Sequence, residues 1–485
     1  MHVVTRRSTL ARACAVAVVG AAWLQPSVAA QTPPPETLKS TADEIIARHV
    51  DPRGPGIVAA VVRDGVVVYR HAAGLASLEQ RTPLTANSVL DVGSVSKQFT
   101  AFAIVLLESQ GRLSLDDDIR RHLPEVPDFG QRITIRDLLN HTSGLREIYN
   151  TMMIGGWQSG DGMTQEQALR IVQAQPALQF APGSEHVYNN TGYMLLADLV
   201  ERVTKTEFHE WMRDNVFAPL GMTSTVIMHV LGQVIPGSGD SYARAGDGYT
   251  RVFDNSTIQG AGGIYSTVDD LARWLGNWSR PTVGTRALLE RMQQRAVLSN
   301  GDTLGYALGV TVDRERGLRR VQHGGSSAGY RTALIHYPEV EGGIIVQSNF
   351  AGTNTARVAA ELAEVFFADR LAPRATPAAP PTPVRASAGS GASWQPDAAA
   401  LAAYAGRFYG TEVEAVYHLG VEADTLVLRH RRIGALKLQP RAPDLFIAAG
   451  GIGELQFLRD AAGRVTGFTV SNGRTRGVRF DIMPE

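Results

Sequence analysis

Two serines in this 485-residue chain stand in patterns that nucleophilic catalysis uses. One is Ser94, followed three positions later by Lys97 in "GSVSKQFTA". Residues i and i+3 of a helix lie on one face a turn apart, so the Lys97 amine can sit beside the Ser94 hydroxyl. A helix N-terminus adds partial positive potential where an alkoxide or oxyanion would form. A lysine desolvated against a helix can lose its proton near neutral pH and act as a base. From spacing alone, the pair reads equally as a helix-capping serine with a solvated lysine. Only four lysines occur in the chain (Lys39, Lys97, Lys205 and Lys437), which makes a chance match less frequent. The second serine is Ser327, centred in residues 325–329, which spell the G-x-S-x-G of a nucleophile elbow.

These two patterns demand different surroundings. An elbow needs a strand, a sharp turn and then a helix. After Ser327 comes "GYRTALIHYP", in which Thr332, Leu334 and His336 alternate with Ala333, Ile335 and Tyr337 up to Pro338. That period belongs to a strand, so Ser327 reads as a turn residue. Ser94 instead precedes a helical pattern from Lys97 to Gln110, with Phe99, Phe102, Ile104, Leu106 and Leu107 apolar and Gly111 as a stop.

Around this helix, residues 57–73 read as a hairpin about Asp64-Gly65. Residues 111–290 are mostly helix and loop, including an apolar face over 193–203. Strand signals return at 304–349, followed by a helix at about 354–370. Strands at both ends of residues 36–370 predict one antiparallel sheet flanked by helices, with the helical subdomain inserted. The regular alternation of a doubly wound sheet is missing, so the expected class is α/β in the α+β sense. Residues 371–396 are a Pro/Ala/Ser-rich linker, and 397–485 read as a small all-β barrel or sandwich.

The composition, 44% hydrophobic and 19% charged with zero net charge, is that of a globular protein without a field directed at nucleic acid or anionic lipid. The run Arg429, His430, Arg431 and Arg432 reads as the solvated face of a strand. Residues 1–30 read as an export signal: Arg6 and Arg7, an apolar run over 13–24, then Val28, Ala29 and Ala30 before Gln31. The expected location is periplasmic or secreted, by the general or the twin-arginine route. The only cysteine, Cys14, lies inside that segment. No spacing suits a metal site and no glycine loop suits phosphate, so no cofactor is expected.

Several motifs occur together in a recognisable order. "GSVSKQFTA", "LLNHTSGL" (138–145), "YNNTGYMLL" (188–196), "PLGM" (219–222), "GAGGIYSTVDDLARW" (260–274) and "HGGSS" (323–327) resemble the β-lactamase-related serine hydrolases over about residues 40–370. That group includes class C β-lactamases, D-Ala-D-Ala carboxypeptidases, D-aminopeptidases and esterases. The trailing β domain resembles their lipocalin-like appendages.

The resemblance implies a β-lactamase/transpeptidase-like fold and a site. Ser94 would be the acylated nucleophile and Lys97 its proton acceptor. Tyr188 and Asn190 would fill the Y-x-N positions, with Tyr188 shuttling a proton and Lys97 lowering its pKa. Tyr149 and Tyr193 are the competing tyrosines. His323, Gly324 and Gly325 stand where such proteins carry K-T-G, and the N–H groups of Ser94 and Ser326 would form the oxyanion hole. Arg331 would add a nearby positive charge unless its strand turns it to solvent. A histidine of ordinary pKa is mostly neutral at pH 7, so carboxylate recognition should be weaker than with lysine. The implied activity is an exported serine hydrolase of small amides, esters or peptides, D-aminopeptidase-like or esterase-like. The alternatives are a penicillin-binding carboxypeptidase or β-lactamase, and a non-catalytic protein holding a peptide or lipid.

Overall fold

The computed structural model describes residues 36–158, 160–374 and 394–484. The export segment and most of the linker read from sequence lie outside the described residues.

Asp64 and Gly65 both adopt positive φ, 51° and 79°, as a tight two-residue turn requires. They join β1 (Ile57–Arg63) to β2 (Val66–Ala73). Four strands from much later in the chain complete the sheet: β3 (Thr311–Glu315), β4 (Leu318–Ser327), β5 (Tyr330–Tyr337) and β6 (Gly342–Ser348). The order is β3-β4-β5-β6-β1-β2, antiparallel throughout. The two ends of the domain meet where Ile57 pairs with Ser348 and Val62 with Gly343.

Strand β1 is apolar on both faces because both faces are covered. Ile57, Ala59 and Val61 pack with α1 (Glu36–Arg48) and a late helix, Thr355–Phe366. Val58, Ala60 and Val62 pack with the cluster around α2 (Ser96–Ser109). That cluster runs on through α3 (Ile148–Ile154), α4 (Asn190–Thr204) and α5 (Val268–Ser279); with these labelled, Thr355–Phe366 is α6. The helical middle also holds short strands, Leu90–Asp91, Val226–Ile227 and Ile264–Ser266, which form a small sheet beside α2.

One mismatch in strand length matters for the site. Strand β3 pairs with β4 only from Leu318 to Gln322. Residues 323–327 of β4 therefore keep β5 on one side and have no β3 partner on the other.

Residues 406–482 close into an eight-stranded barrel of consecutive antiparallel strands, β7 (Gly406–Gly410), β8 (Ala415–Glu422), β9 (Thr425–His430), β10 (Gly434–Ala442), β11 (Leu445–Ala448), β12 (Gly453–Arg459), β13 (Val465–Asn472) and β14 (Thr475–Ile482). Pairing of β7 with β14 leaves no open edge. Phe408, Tyr417, Phe446, Phe457, Phe468 and Phe480 fill it, and Ile154 at the end of α3 belongs to the same apolar cluster. The Tyr417 hydroxyl donates to the Ile154 carbonyl at 2.5 Å. Arg146, just before α3, is buried with its guanidinium 3.0 Å from Glu412 and also donates to the carbonyls of Arg476 and Gly477. The barrel is thereby fastened to the wall of the helical region rather than hung from the linker.

Removing one partner of a buried pair strands the other charge. Glu412→Ala should lower the unfolding free energy by about 3 kcal/mol, read by chemical denaturation, with a smaller loss in Glu412→Gln because the amide oxygen still accepts from Arg146.

Candidate active site

Ser94 lies in a turn of 3-10 helix, Gly93–Val95, that runs directly into α2. Neither helix start carries a side-chain capping bond, so Ser94 does not cap the helix. It is the one partly exposed residue in the otherwise buried run 92–100. Lys97 is fully buried rather than solvated.

The Lys97 Nζ faces three oxygens: Ser94 Oγ at 3.2 Å, Asn190 Oδ1 at 2.8 Å and the Ala261 carbonyl at 2.8 Å. Burial drives its pKa well below the ordinary lysine value; Glu147 opposes that shift and Arg474 adds to it. A neutral amine has two N–H donors and one lone pair. Asn190 Oδ1 and the Ala261 carbonyl can only accept, so they take the two donors and leave the lone pair for the Ser94 O–H. The amide of Asn190 is oriented unambiguously, because its Nδ2 donates to Glu147 Oε1 at 2.6 Å. Glu147 is fully buried, and its Oε2 also accepts from the Asn150 backbone at the start of α3.

Tyr188 stacks over this group, with the Lys97 nitrogen 4.9 Å from its ring centroid. Its buried hydroxyl has no hydrogen-bond partner. Burial pushes the phenol up, the nearby Ser94 hydroxyl and Arg474 pull it down, and Glu147 pushes it up again. The net shift is upward, because burial outweighs the two neighbours that pull the phenol down. Of the competing tyrosines, Tyr193 spends its hydroxyl on the Leu139 carbonyl at 2.8 Å. Tyr149 is a half-buried phenol on the cleft wall, pushed up by desolvation and by Asp254 and Glu147.

His323 faces the same side of the sheet. Its Nδ1 is 2.6 Å from the Gly324 carbonyl, so Nδ1 carries the proton, and Nε2 accepts from the Tyr306 hydroxyl at 3.0 Å. Burial, reinforced by Lys97, lowers its pKa to about 4 against the pull of the Gly324 carbonyl. The imidazole is therefore neutral at pH 7 and is committed at both nitrogens.

Gly325 and Gly93 let two backbones touch. A Cβ on Gly325 would sit 1.9 Å from the Val92 carbonyl oxygen, and one on Gly93, whose φ is +54°, would sit 2.5 Å from the Ser326 nitrogen. No other residue type fits either position, and the contact brings the backbone of Ser326 on the open edge of β4 against the Ser94 turn. Gly324, Gly325 and Ser326 line a cleft of about 910 Å³ together with Ser94, Tyr188 and Asn190.

Arg331 also borders this cleft but stands apart from the serine. It pairs with Ser326 and alternates with Thr332, so it shares the sheet face of Ala333, which packs toward α1 and α6. Its guanidinium donates to the carbonyls of Ala328 and Tyr330 in its own hairpin. Ser327 ends β4, Tyr330 starts β5, and no helix follows, so the elbow geometry is absent. The Ser327 hydroxyl donates to Asp254.

Four contributors were not singled out from sequence. Glu147 and Tyr306 carry no spacing signal. His141 accepts from the Asn189 backbone through Nδ1 at 3.0 Å and packs tilted against the Tyr188 ring, centroids 4.3 Å apart, so it holds the tyrosine segment in place; its position inside "LLNHTSGL" was the available clue. Arg474 comes from the barrel and reaches the cleft across more than a hundred residues of sequence.

A mixed antiparallel-sheet and helix domain with a serine, a desolvated lysine and an open strand edge at one cleft is a β-lactamase/transpeptidase-like architecture. The chain belongs to the β-lactamase family: a family model described as Beta-lactamase matches residues 42–368. A penicillin-binding protein of Bacillus subtilis (strain 168) is 31% identical over 303 residues, 59% of this chain and 66% of that protein. A D-aminopeptidase of Brucella anthropi is 30% identical over 319 residues, 64% of this chain and 60% of that protein. The chain thus spans about two thirds or less of the length of these curated relatives. In fold, it is similar to an octameric penicillin-binding protein homologue from Pyrococcus abyssi (TM-score 0.60, 23% identity, 92% of this chain and 99% of that one). It is also similar to a D-amino acid amidase from Ochrobactrum anthropi SV3 (TM-score 0.57, 23% identity, 69% and 99%).

The Gly325 contact is a sharp test of this geometry. Gly325→Ala should force β4 off the Ser94 turn and lower kcat by about 10²-fold, the scale of losing one oxyanion donor, while a fluorophosphonate still labels Ser94 at a reduced rate.

Proposed function

We propose that this protein is a serine hydrolase that cleaves small amides or esters through an acyl-enzyme on Ser94, in the manner of D-aminopeptidases or esterases. The observation that carries this reading is the buried Lys97 amine with two obligate acceptors and one serine hydroxyl around it.

The chemistry follows from that arrangement. Neutral Lys97 takes the Ser94 proton as Oγ attacks the substrate carbonyl. The N–H groups of Ser94 and Ser326 receive the oxyanion. Tyr188, a neutral phenol with a free O–H, donates to the leaving nitrogen or oxygen as the tetrahedral intermediate collapses. The Lys97 ammonium then returns a proton to Tyr188. Water, deprotonated by the same pair, hydrolyses the ester on Ser94. The relatives named D-aminopeptidase and the neutral His323 at the usual lysine position favour this over a β-lactamase or carboxypeptidase that anchors a carboxylate on that strand. An export segment at residues 1–30 would deliver the enzyme to the periplasm or the medium.

A fluorophosphonate should label wild type at Ser94, and Ser94→Ala should lose labelling and turnover. Labelling or activity that survives in Ser94→Ala and disappears in Ser327→Ala would overturn the assignment. A panel of D-Ala-p-nitroanilide, p-nitrophenyl butyrate and nitrocefin separates amide, ester and lactam preference, with nitrocefin expected to be the slowest.

The pH profile is a second test. The base must be unprotonated and its pKa lies well below the ordinary lysine value. Activity should hold at neutral pH and fall tenfold per pH unit once pH drops through that lowered value. Lys97→Arg, always charged, should lose about 10³-fold in kcat/KM, within the usual range for general-base catalysis.

A further inference from the structure

The barrel supplies a side chain to the cleft. Arg474 sits in the turn between β13 and β14, and that turn is pinned on several sides. Its carbonyl accepts from Gln179 Nε2 at 3.1 Å, and the Arg476 N–H donates to Gln179 Oε1 at 3.0 Å. The Thr475 hydroxyl donates to the Glu147 carbonyl at 2.9 Å and lies 3.1 Å from the Thr151 hydroxyl. The turn is thus held against the segment that carries Glu147, and Arg474 projects from a fixed base.

The guanidinium is only loosely paired. Its centre lies 5.2 Å from the Tyr188 ring centroid. Its nearest carboxylate contact is Glu147 Oε2 at 3.7 Å, beyond hydrogen-bond distance, and both Glu147 oxygens already accept from Asn190 and Asn150. Among the described residues no side-chain hydrogen bond from Arg474 is made, and 39% of the side chain remains exposed, lining the cleft. The other basic groups of this region are committed elsewhere or uncharged. Lys97 is surrounded by three oxygens, Arg331 donates to its own hairpin, Arg146 is buried against Glu412, and His323 is neutral.

We propose that Arg474 binds a carboxylate on the leaving half of the substrate, which makes the preferred substrates short peptides or amino-acid conjugates ending in a free carboxylate. This rests on the serine-hydrolase reading above. Tyr188 is the donor to the leaving group, and Arg474 lies against Tyr188 in the same cleft, so a carboxylate carried on the leaving half is on the side where the guanidinium stands. A guanidinium presents a planar pair of N–H donors that matches a carboxylate bidentately, and its partial burial against an aromatic face strengthens that contact. The barrel therefore restores the positive charge that His323 does not provide, from a different element.

The test compares D-alanyl-D-alanine with its C-terminal amide in wild type, Arg474→Gln and Arg474→Lys. Each is measured as a substrate, or as a competitive inhibitor of p-nitrophenyl acetate turnover, which gives KM or Ki in either case. In wild type the free acid should bind at least tenfold more tightly than the amide. Arg474→Gln should abolish that preference through KM or Ki, and Arg474→Lys should keep part of it. Equal binding of acid and amide by wild type overturns the proposal. So does a preference that survives in Arg474→Gln, or a variant in which kcat falls alike for both with the ratio unchanged. Fluorophosphonate labelling of Ser94 in all three proteins separates the two readings: labelling without the preference defeats this proposal alone, and no labelling in wild type defeats the hydrolase reading. Unaltered melting of Arg474→Gln excludes an undocked barrel as the cause.

Discussion

The amine of Lys97 is buried with no carboxylate in contact, only three oxygens within hydrogen-bond reach. An ammonium there would be stripped of water without a direct counter-ion, so the neutral form is favoured. Much of the surrounding structure serves to maintain that condition. Helix α2 is buried almost throughout its first three turns, the loop carrying Ala261 closes over it, and Asn190 stands between the lysine and Glu147. The carboxylate is near enough to oppose the shift but not to pair, which keeps the amine basic without keeping it charged.

The same separation of duties runs through the rest of the cleft. His323 is tied by Gly324 and Tyr306 into a neutral tautomer and contributes shape rather than charge. Tyr188 keeps its proton because it is buried, and His141 and the Asn189 backbone set where its hydroxyl lies. The backbone of β4 approaches the Ser94 turn only because Gly93 and Gly325 have no side chains. Electrostatics at this site is thus arranged mostly by exclusion of water and by backbone proximity, with charge brought in from outside by Arg474.

The barrel changes how the domain organisation is understood. Sequence composition separates residues 397–485 from the rest by a linker, which suggests an independent appendage. The docking contacts, Arg146 with Glu412 and Thr475 with Glu147, instead make the barrel part of the wall that positions Glu147, and through Asn190 the lysine. A module attached in this way can alter specificity through one turn without disturbing the sheet.

Sequence by itself determined the local features. Asp64-Gly65 specified a hairpin because few residue pairs accept two positive φ angles. The period after Lys97 specified a helix that places Lys97 beside Ser94, and the alternation after Ser327 excluded an elbow. The family and its sheet could be read because several motifs occur in order, each tied to a local turn or cap. Tertiary structure alone decided what depends on groups distant in the chain. Whether Lys97 is solvated or buried, which tyrosine has a free hydroxyl, and which arginine lies against Tyr188 are set by partners such as Ala261, Leu139, Ala333 and Gln179. No spacing along the chain encodes those contacts, because desolvation and charge act through space and the residues responsible meet only when the sheet, the helical region and the barrel have packed.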